Sequence, residues 1–418
     1  MKSQSRTACF TICSNNYLPS ARVFAASFQQ FHPEIDLYLG LADVPAATLD
    51  YPPGCTVVPA GELGISDFDA FAFRYDIMEL NTAIKPSMFL SLLEGGYDRV
   101  LYFDPDIEFF APLTSVLGAL DKGASFVLTP HICSPAESWA PRTDIHIMQT
   151  GIFNLGFVAC GRQAETETVL RWWARRLRYQ CINDQSHGIF VDQKFMDLVP
   201  AFTENTCILR DTSCNVAYWN LAQRELREEN GDWTVDGHPL TFFHFSGFSP
   251  KDMTRISKHT NFREEDVSDA HRHLFQHYAD RLTASDFGEQ PNLPYGYGRF
   301  ASGTPIPDAV RRMFRERLPG WSGNPFANLE EYLHLPDPTA CHLAGRFMVT
   351  NLMRYLYDQR GDLRSRFDLE RPEGVEHFVR WYVEHGDEFG LDRQLVEPVA
   401  IRAGLYDTRD RINERSAA

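Results

Sequence analysis

A chain of 418 residues has room for two or three domains and an ample core, and 44% hydrophobic with 23% charged residues is ordinary for a globular protein. A formal charge of −16 argues against a nucleic-acid binder. No stretch approaches the apolar length that spans a bilayer, the basic N-terminus does not develop into a signal peptide, and nine scattered cysteines without a CxxC pair fit reduced thiols in a cytoplasm.

From Thr7 to about Phe245 short apolar strands alternate with amphipathic helices. Residues 8–13 predict a first strand, and 19–31 a helix whose Val23, Phe24, Ser27, Phe28 and Phe31 share one stripe. Residues 35–41 and 56–58 predict further strands, separated by the Tyr51-Pro-Pro-Gly54 turn. Two helices, at 68–80 and 85–93, then lead to VLYFDPD at 100–106, an oily strand with two carboxylates at its end. Pro105 biases Asp104 toward extended geometry and stops the ladder, so both side chains can reach one crevice, and in an open α/β sheet that crevice binds ligands. Carboxylates this close repel unless a cation lies between them, and oxygen ligands on a short loop suit Mg²⁺ or Mn²⁺ arriving with phosphate. The bland alternative is a solvated Asp-Pro-Asp turn.

Further strands are expected at 125–128 and 152–159, a helix at 165–181, and a hairpin in WTVDGHPLTFFHF (233–245) with a type I′ turn at Asp236-Gly237. The βαβ rhythm implies a mainly parallel sheet with helices on both faces. Between about 285 and 307 the chain turns loop-like, with Pro291, Pro294, Gly296, Gly298, Gly303, Pro305 and Pro307. The expected organisation is therefore a first domain at 1–285, a linker at 286–307 and a helical C-terminal domain at 308–418. In the last, LMRYLYDQRGDL and FVRWYVEHGDEF share an apolar helix with Gly361 and Gly386 as stops.

Five ordered stretches, CSNNY (13–17), LYFDPD (101–106), IFNLGF (152–157), VDQKFMD (191–197) and HFSGFSP (244–250), carry a resemblance. Residues 7 to about 260 resemble the GT-A glycosyltransferase domain of glycosyltransferase family 8, which includes glycogenin and bacterial lipopolysaccharide galactosyltransferases; the last 120 or so residues lie outside it. The resemblance implies a Rossmann-like α/β domain that takes a nucleoside-diphosphate sugar, with a divalent ion held by Asp104, Asp106 and His244. An imidazole ligand favours Mn²⁺ over Mg²⁺. It further implies that Asn16 and Tyr17 meet the base and ribose, with Thr11 and Ser14 at the same donor loop; Ser14 stands where the family commonly has an acid that reads uracil, so GDP- and dTDP-sugars stay open beside UDP-sugars.

In the family's H-x-x-G-x-x-K pattern, His244 and Gly247 match, but position 250 is Pro250; Lys251 and Lys258 follow, and Arg74 and Lys85 are other phosphate candidates. Asn154, Asp192 and Gln193 are implied to line the donor sugar and reaction centre of an enzyme that retains anomeric configuration. Asp192 has a second reading as a helix N-cap. The basic-aromatic RWWARRLR (171–178) also has two: contact with anionic lipid, or tryptophans packed on the sheet with arginines turned to water.

The function expected is thus a metal-dependent, cytoplasmic glycosyltransferase acting on a glycan, lipid-linked or protein acceptor, as in surface polysaccharide synthesis. The competing readings are a haloacid-dehalogenase-like phosphatase, which also places D-x-D after an apolar strand, and a non-catalytic nucleotide-sugar-binding protein.

Overall fold

The structure, a computed structural model, describes residues 5–135, 144–260, 263, 266–288, 293–340 and 346–405. Two compact units share the chain: Met1–Ile65 with Ile77–Tyr295, and Ser66–Asp76 with Gly296–Ala418. The change of unit after Tyr295 falls inside the loop-like stretch anticipated from its prolines and glycines, of which Pro291 lies outside the described residues. The excursion Ser66–Asp76 was not anticipated.

In the first unit, β1 (Thr7–Cys13), β2 (Asp36–Leu41) and β3 (Cys55–Pro59) run parallel and outward from β1, with α1 (Leu18–Phe31) after the first strand. The chain then crosses to the other side of β1 to lay down β4 (Arg99–Phe103), also parallel, with Phe10 beside Tyr102. The carboxyl ends of β1 and β4 are therefore neighbours at a point where strand order reverses, the place where open α/β sheets bind ligands. A short strand β5 (Ile107–Phe109) follows; then β6 (Phe126–Pro130) and β7 (Phe153–Gly161) complete the sheet in the order Thr206–Ile208, β6, β7, β4, β1, β2, β3. β7 is antiparallel to both neighbours, because the chain leaves β6 at its carboxyl end and re-enters opposite that end, Phe153 facing Pro130. All nine β7 residues are buried.

An aromatic core supports the β4 end. Phe103 packs on Phe109 and Phe157 at 4.9 Å and on Phe242 at 5.2 Å, with Phe24 and Phe28 of α1 behind them. Aromatic pairs at such separations add to the burial of their area, which holds the turn after β4 on a stiff base.

Three local expectations need correction. The helix anticipated at 68–80 is two helices, Phe68–Phe73 and Ile77–Ala83, in different units. No glycine or proline marks the break; Phe73 is buried against Phe314 and Phe326 in the second unit, whereas Leu80 is buried in the first. The hairpin has its turn as expected, with Asp236 and Gly237 at φ 51° and 81°, but across it Asp232–Val235 pairs just with the short His238–Pro239, its other edge taking Leu226–Glu229. Phe242–His244 leaves it to pair antiparallel with β5, setting His244 opposite Ile107. Finally, Gly361 is no helix stop: Arg360 breaks the chain with φ −120° and ψ 113°, and Gly361 begins the next helix.

The second unit is helical among the described residues. Asp308–Arg317, Pro325–His334, Asn351–Gln359, Gly361–Arg366, Pro372–His385 and Arg393–Ala403 enclose Val310, Phe314, Leu329, Met353, Phe378 and Leu395. Pro372–His385 does end at Gly386, where a Cβ would lie 2.7 Å from Val396 Cγ2. Among the described residues no helix is long and apolar enough to cross a membrane, and eight cysteines are free thiols.

Candidate metal centre and donor cleft

Two local devices bring Asp104, Asp106 and His244 together. Asp104 continues β4 by one hydrogen bond, its N–H donating to Gly156 O at 2.7 Å, while the β5 ladder ends with Phe245 N–H donating to Asp106 O at 2.9 Å. One ligand atom from each of the three side chains lies within 4.8 Å of the others. His244 Nε2 stands 3.1 Å from Asp106 Oδ1 and 3.7 Å from Asp104 Oδ2. Tyr102, two residues before Asp104 on the same strand face, donates its hydroxyl to Asp104 Oδ1.

Gly156 is what lets the histidine in. A Cβ there would fall 2.3 Å from His244 Cε1 and 2.5 Å from Nδ1.

The electrostatics follow from the crowding. Burial raises Asp104, against the pull of Lys85 and His244. Burial also acts to raise Asp106, but the closer His244 outweighs it and holds this carboxyl below the ordinary range. For His244, burial works to lower the imidazole, and Asp106 and Asp104 reverse that and raise it. Two carboxylates and one imidazole form a donor set that fits a divalent ion, and the cradle at Gly156 leaves the imidazole room to serve.

Lys85 lies behind this corner, 1% exposed, with Nζ 2.5 Å from Asp192 Oδ2, 3.0 Å from Leu155 O and 4.2 Å from the centre of the Tyr102 ring. Asp192 therefore uses its carboxylate on a lysine, and its side chain makes no N-cap bond to the turn Gln193–Leu198 that follows. Burial raises its carboxyl despite Lys85. Gln193 engages both ends of its amide: Oε1 accepts from Leu155 N at 2.9 Å and Nε2 donates to Thr150 O at 2.8 Å. Asn154 lies between His244 and His131, contacting both.

Beside Asp106 opens a cavity of about 260 Å³ lined by Asn16, Tyr17, Gly247, Lys258, Phe248 and Tyr278 among others. Tyr17 is 42% exposed, and partial burial with Asp106 and Asp104 pushes its phenol up to about 12. Gly247 sits at φ 72°, where a Cβ would meet His259 at 2.6 Å, and its carbonyl accepts from Lys258 N at 2.9 Å.

Five of the anticipated donor residues do not line this cavity, among them Lys85, whose ammonium is taken by Asp192. Ser14 turns inward, donating to Ala42 O at 3.3 Å and accepting from Asn81 Nδ2 at 2.7 Å. Thr11 is wholly buried in β1. Lys251 is exposed, 5.8 Å from the Phe287 ring. Arg74 belongs to the second unit, where it donates to Ala70 O at 2.8 Å and lies over Phe314. In the basic-aromatic segment, Trp173 is buried with Nε1 donating to Asp192 O at 3.1 Å, Trp172 packs on Phe202, and Arg171 pairs with Glu167 and Glu94. Trp173 thus serves the interior behind Asp192, while Trp172 is half-buried beside the exposed Phe202.

Sequence reasoning missed Tyr102, Gly156, Asn215 and His259. Strand alternation could have found the first, and a glycine inside a strand is a signal of close approach that could have found the second.

No family profile matches the chain. Two curated relatives come from Bacillus subtilis (strain 168), both uncharacterized: YfnF, 25% identical over 214 residues, which are 48% of this chain and 70% of that protein, and YfnD, 30% identical over 176 residues, 40% and 52%. The chain thus spans about half the length of the second. Among solved structures it is similar to the galactosyltransferase LgtC with donor and acceptor sugar analogues (16% identity, 69% of this chain and 97% of that one, TM-score 0.37). It is also similar to mouse xyloside xylosyltransferase 1 (13%, 57% and 97%, 0.34) and the glycosyltransferase GlyE of Streptococcus pneumoniae TIGR4 (15%, 67% and 63%, 0.40).

Proposed function

We propose that the first unit transfers a sugar from a nucleoside-diphosphate sugar to an acceptor, with retention of anomeric configuration, using a divalent ion held by Asp104, Asp106 and His244. The observation that carries this reading is their convergence where strand order reverses, beside a cavity lined by Tyr17, Gly247 and Lys258. Cleaving the anomeric carbon–oxygen bond leaves negative charge on the departing diphosphate. An ion at the three ligands supplies positive charge where that charge develops.

The chain's own residues do the rest. Tyr17 offers an exposed aromatic face for a base, and Lys258 a cation at the cavity wall for the phosphates. Lys85, Asp192 and Gln193 brace the Asn154–Gly156 segment of β7 against the metal corner, and Asp192 and Gln193 are our candidates for the groups nearest the sugar. With Ser14 turned inward, base selection falls to Asn16, Tyr17 and the aromatic cavity wall. The acceptor class is a glycan, a lipid-linked sugar or a protein.

A panel of UDP-, GDP- and dTDP-sugars with Mn²⁺, scored for nucleoside diphosphate release with and without chelator, tests the reading. Release from one donor that stops in chelator and returns with Mn²⁺ is the expected result. Full release in chelator would end the metal role, and phosphate release from generic esters would favour the phosphatase. The anomeric proton coupling of the product decides retention.

A further inference from the structure

We propose that Asn154 is the positioning residue of the metal centre: it sets the tautomer of His244, leaving Nε2 as the nitrogen that faces Asp104 and Asp106. The inference rests on the metal site proposed above and gives Asn154 a task other than contact with the donor sugar.

An amide's oxygen and nitrogen are told apart by their partners. Gly156 N–H can only donate, and it lies 3.1 Å from Asn154 Oδ1, so that atom is the oxygen. Asn215 agrees: its Nδ2 carries two protons, one directed to Thr129 Oγ1 at 2.8 Å and the other to Asn154 Oδ1 at 3.1 Å. His244 Nδ1 faces the same oxygen at 3.3 Å. A ring nitrogen facing an oxygen acceptor carries a proton, and Nε2 faces one as well; with Nδ1 held to the amide oxygen, Nε2 is the nitrogen that would exchange its proton for an ion and present the lone pair. Nε2 is the atom 3.1 Å from Asp106 and 3.7 Å from Asp104.

The other end of the amide gives an independent check. Asn154 Nδ2 can only donate and lies 3.4 Å from His131 Nε2, so His131 accepts there and carries its proton on Nδ1. His131 Nδ1 has a carbonyl to receive that proton, Ile152 O at 3.3 Å. Both tautomers thus follow from two main-chain groups, Gly156 N–H and Ile152 C=O, with no freedom left to Asn154. Asn215 is itself held for this: it is buried at φ 55°, a conformation asparagine tolerates better than most residues, and its carbonyl accepts from Asn220 Nδ2 at 3.0 Å. Partners that fix the far nitrogen of a ligating histidine typically change metal affinity tenfold to a hundredfold when removed.

The test measures Mn²⁺ binding alone, by the free-ion signal in electron paramagnetic resonance, with no donor and no turnover. Asn154→Ala should weaken Mn²⁺ about tenfold, whereas Asn154→Asp, which keeps an oxygen facing Nδ1, should stay within about threefold of wild type. In a His244→Ala background the Asn154→Ala cost should vanish, because the residue acts through that ring. A purely sugar-contacting Asn154 would leave Mn²⁺ affinity unchanged in both variants, and an undiminished cost in the His244→Ala background would equally overturn the proposal. A measurement on the wild type avoids any question of folding: with saturating Mg²⁺, two-bond proton–nitrogen correlations should show His131 and His244 both protonated at Nδ1, and protonation at Nε2 of either overturns it. Wild type that takes up neither ion would refute the metal site and this inference together; wild type that binds, with indifferent variants, refutes the inference alone.

Discussion

The two ends of the cleft are built differently. At the metal corner His244, Asn154, Lys85 and Asp192 are each less than a tenth exposed and held by partners from distant segments, and Gly156 leaves no slack around the imidazole. At the loop end Asn16, Tyr17 and Lys258 are exposed and present their side chains to the cavity. The contrast teaches where each demand falls. On the proposed reading, the centre that would meet charge as it develops is pre-organised, whereas the rim that would admit and release a donor keeps its side chains exposed.

The strongest way to break the contrast is to take a partner from the rigid end. Lys85→Met removes the cation from Asp192 and leaves a carboxylate buried without its partner, a change that costs about 3–5 kcal/mol in comparable sites. Denaturant melts of wild type and variant measure it. The double change with Asp192→Leu should recover most of that stability while activity stays lost. A loss under about 1 kcal/mol for the single variant would show the corner to be looser than its geometry suggests.

Next in size is the charge itself. Asp106→Asn keeps the shape of the side chain, and should cut turnover of the correct donor about a hundredfold, near 3 kcal/mol, with little change in the melting transition. Normal turnover would remove Asp106 from the metal centre. Unfolding would make it a structural group.

How far these ends could be read in advance follows the same division. The carboxylates were legible because Pro105 and the strand that precedes them are contiguous, whereas His244 and Gly247 entered through the resemblance, on a family pattern that they match. Lys85 was expected as a phosphate cation and is instead the buried partner of Asp192, 107 positions away; no local pattern encodes that pairing. Ser14 stood in the right loop, yet its direction depended on Ala42 and Asn81. The break after Phe73 was illegible for a like reason: the sequence there is good helix, and the burial of Phe73 among Phe300, Phe314 and Phe326 decides otherwise.

A milder change sharpens the rim. Tyr17→Ala should weaken nucleoside diphosphate binding by about 1–2 kcal/mol, the scale of base stacking on an aromatic ring, and leave Mn²⁺ binding alone. Calorimetric titration separates the two. Ser14→Asp, by contrast, would bury a carboxylate against Ala42 O and should lower the melting temperature without altering base preference.

The smallest effect answers the question of the displaced lysine. In the H-x-x-G-x-x-K spacing the lysine position is Pro250, but the chain folds back so that Lys258 N–H donates to Gly247 O, and this later lysine reaches the cavity wall that Asp106 shares. Lys251, nearer in sequence, is exposed beside Phe287. Tertiary return, and not spacing, would then supply the cation. Lys258→Ala should weaken diphosphate binding about threefold at low salt and much less at about 1 M salt, since an exposed ammonium acts through a screened field. Lys251→Ala should change nothing measurable at either salt. If Lys251→Ala carries the salt-dependent loss instead, the sequence neighbour is the phosphate group and the fold-back to Gly247 serves only to shape the loop.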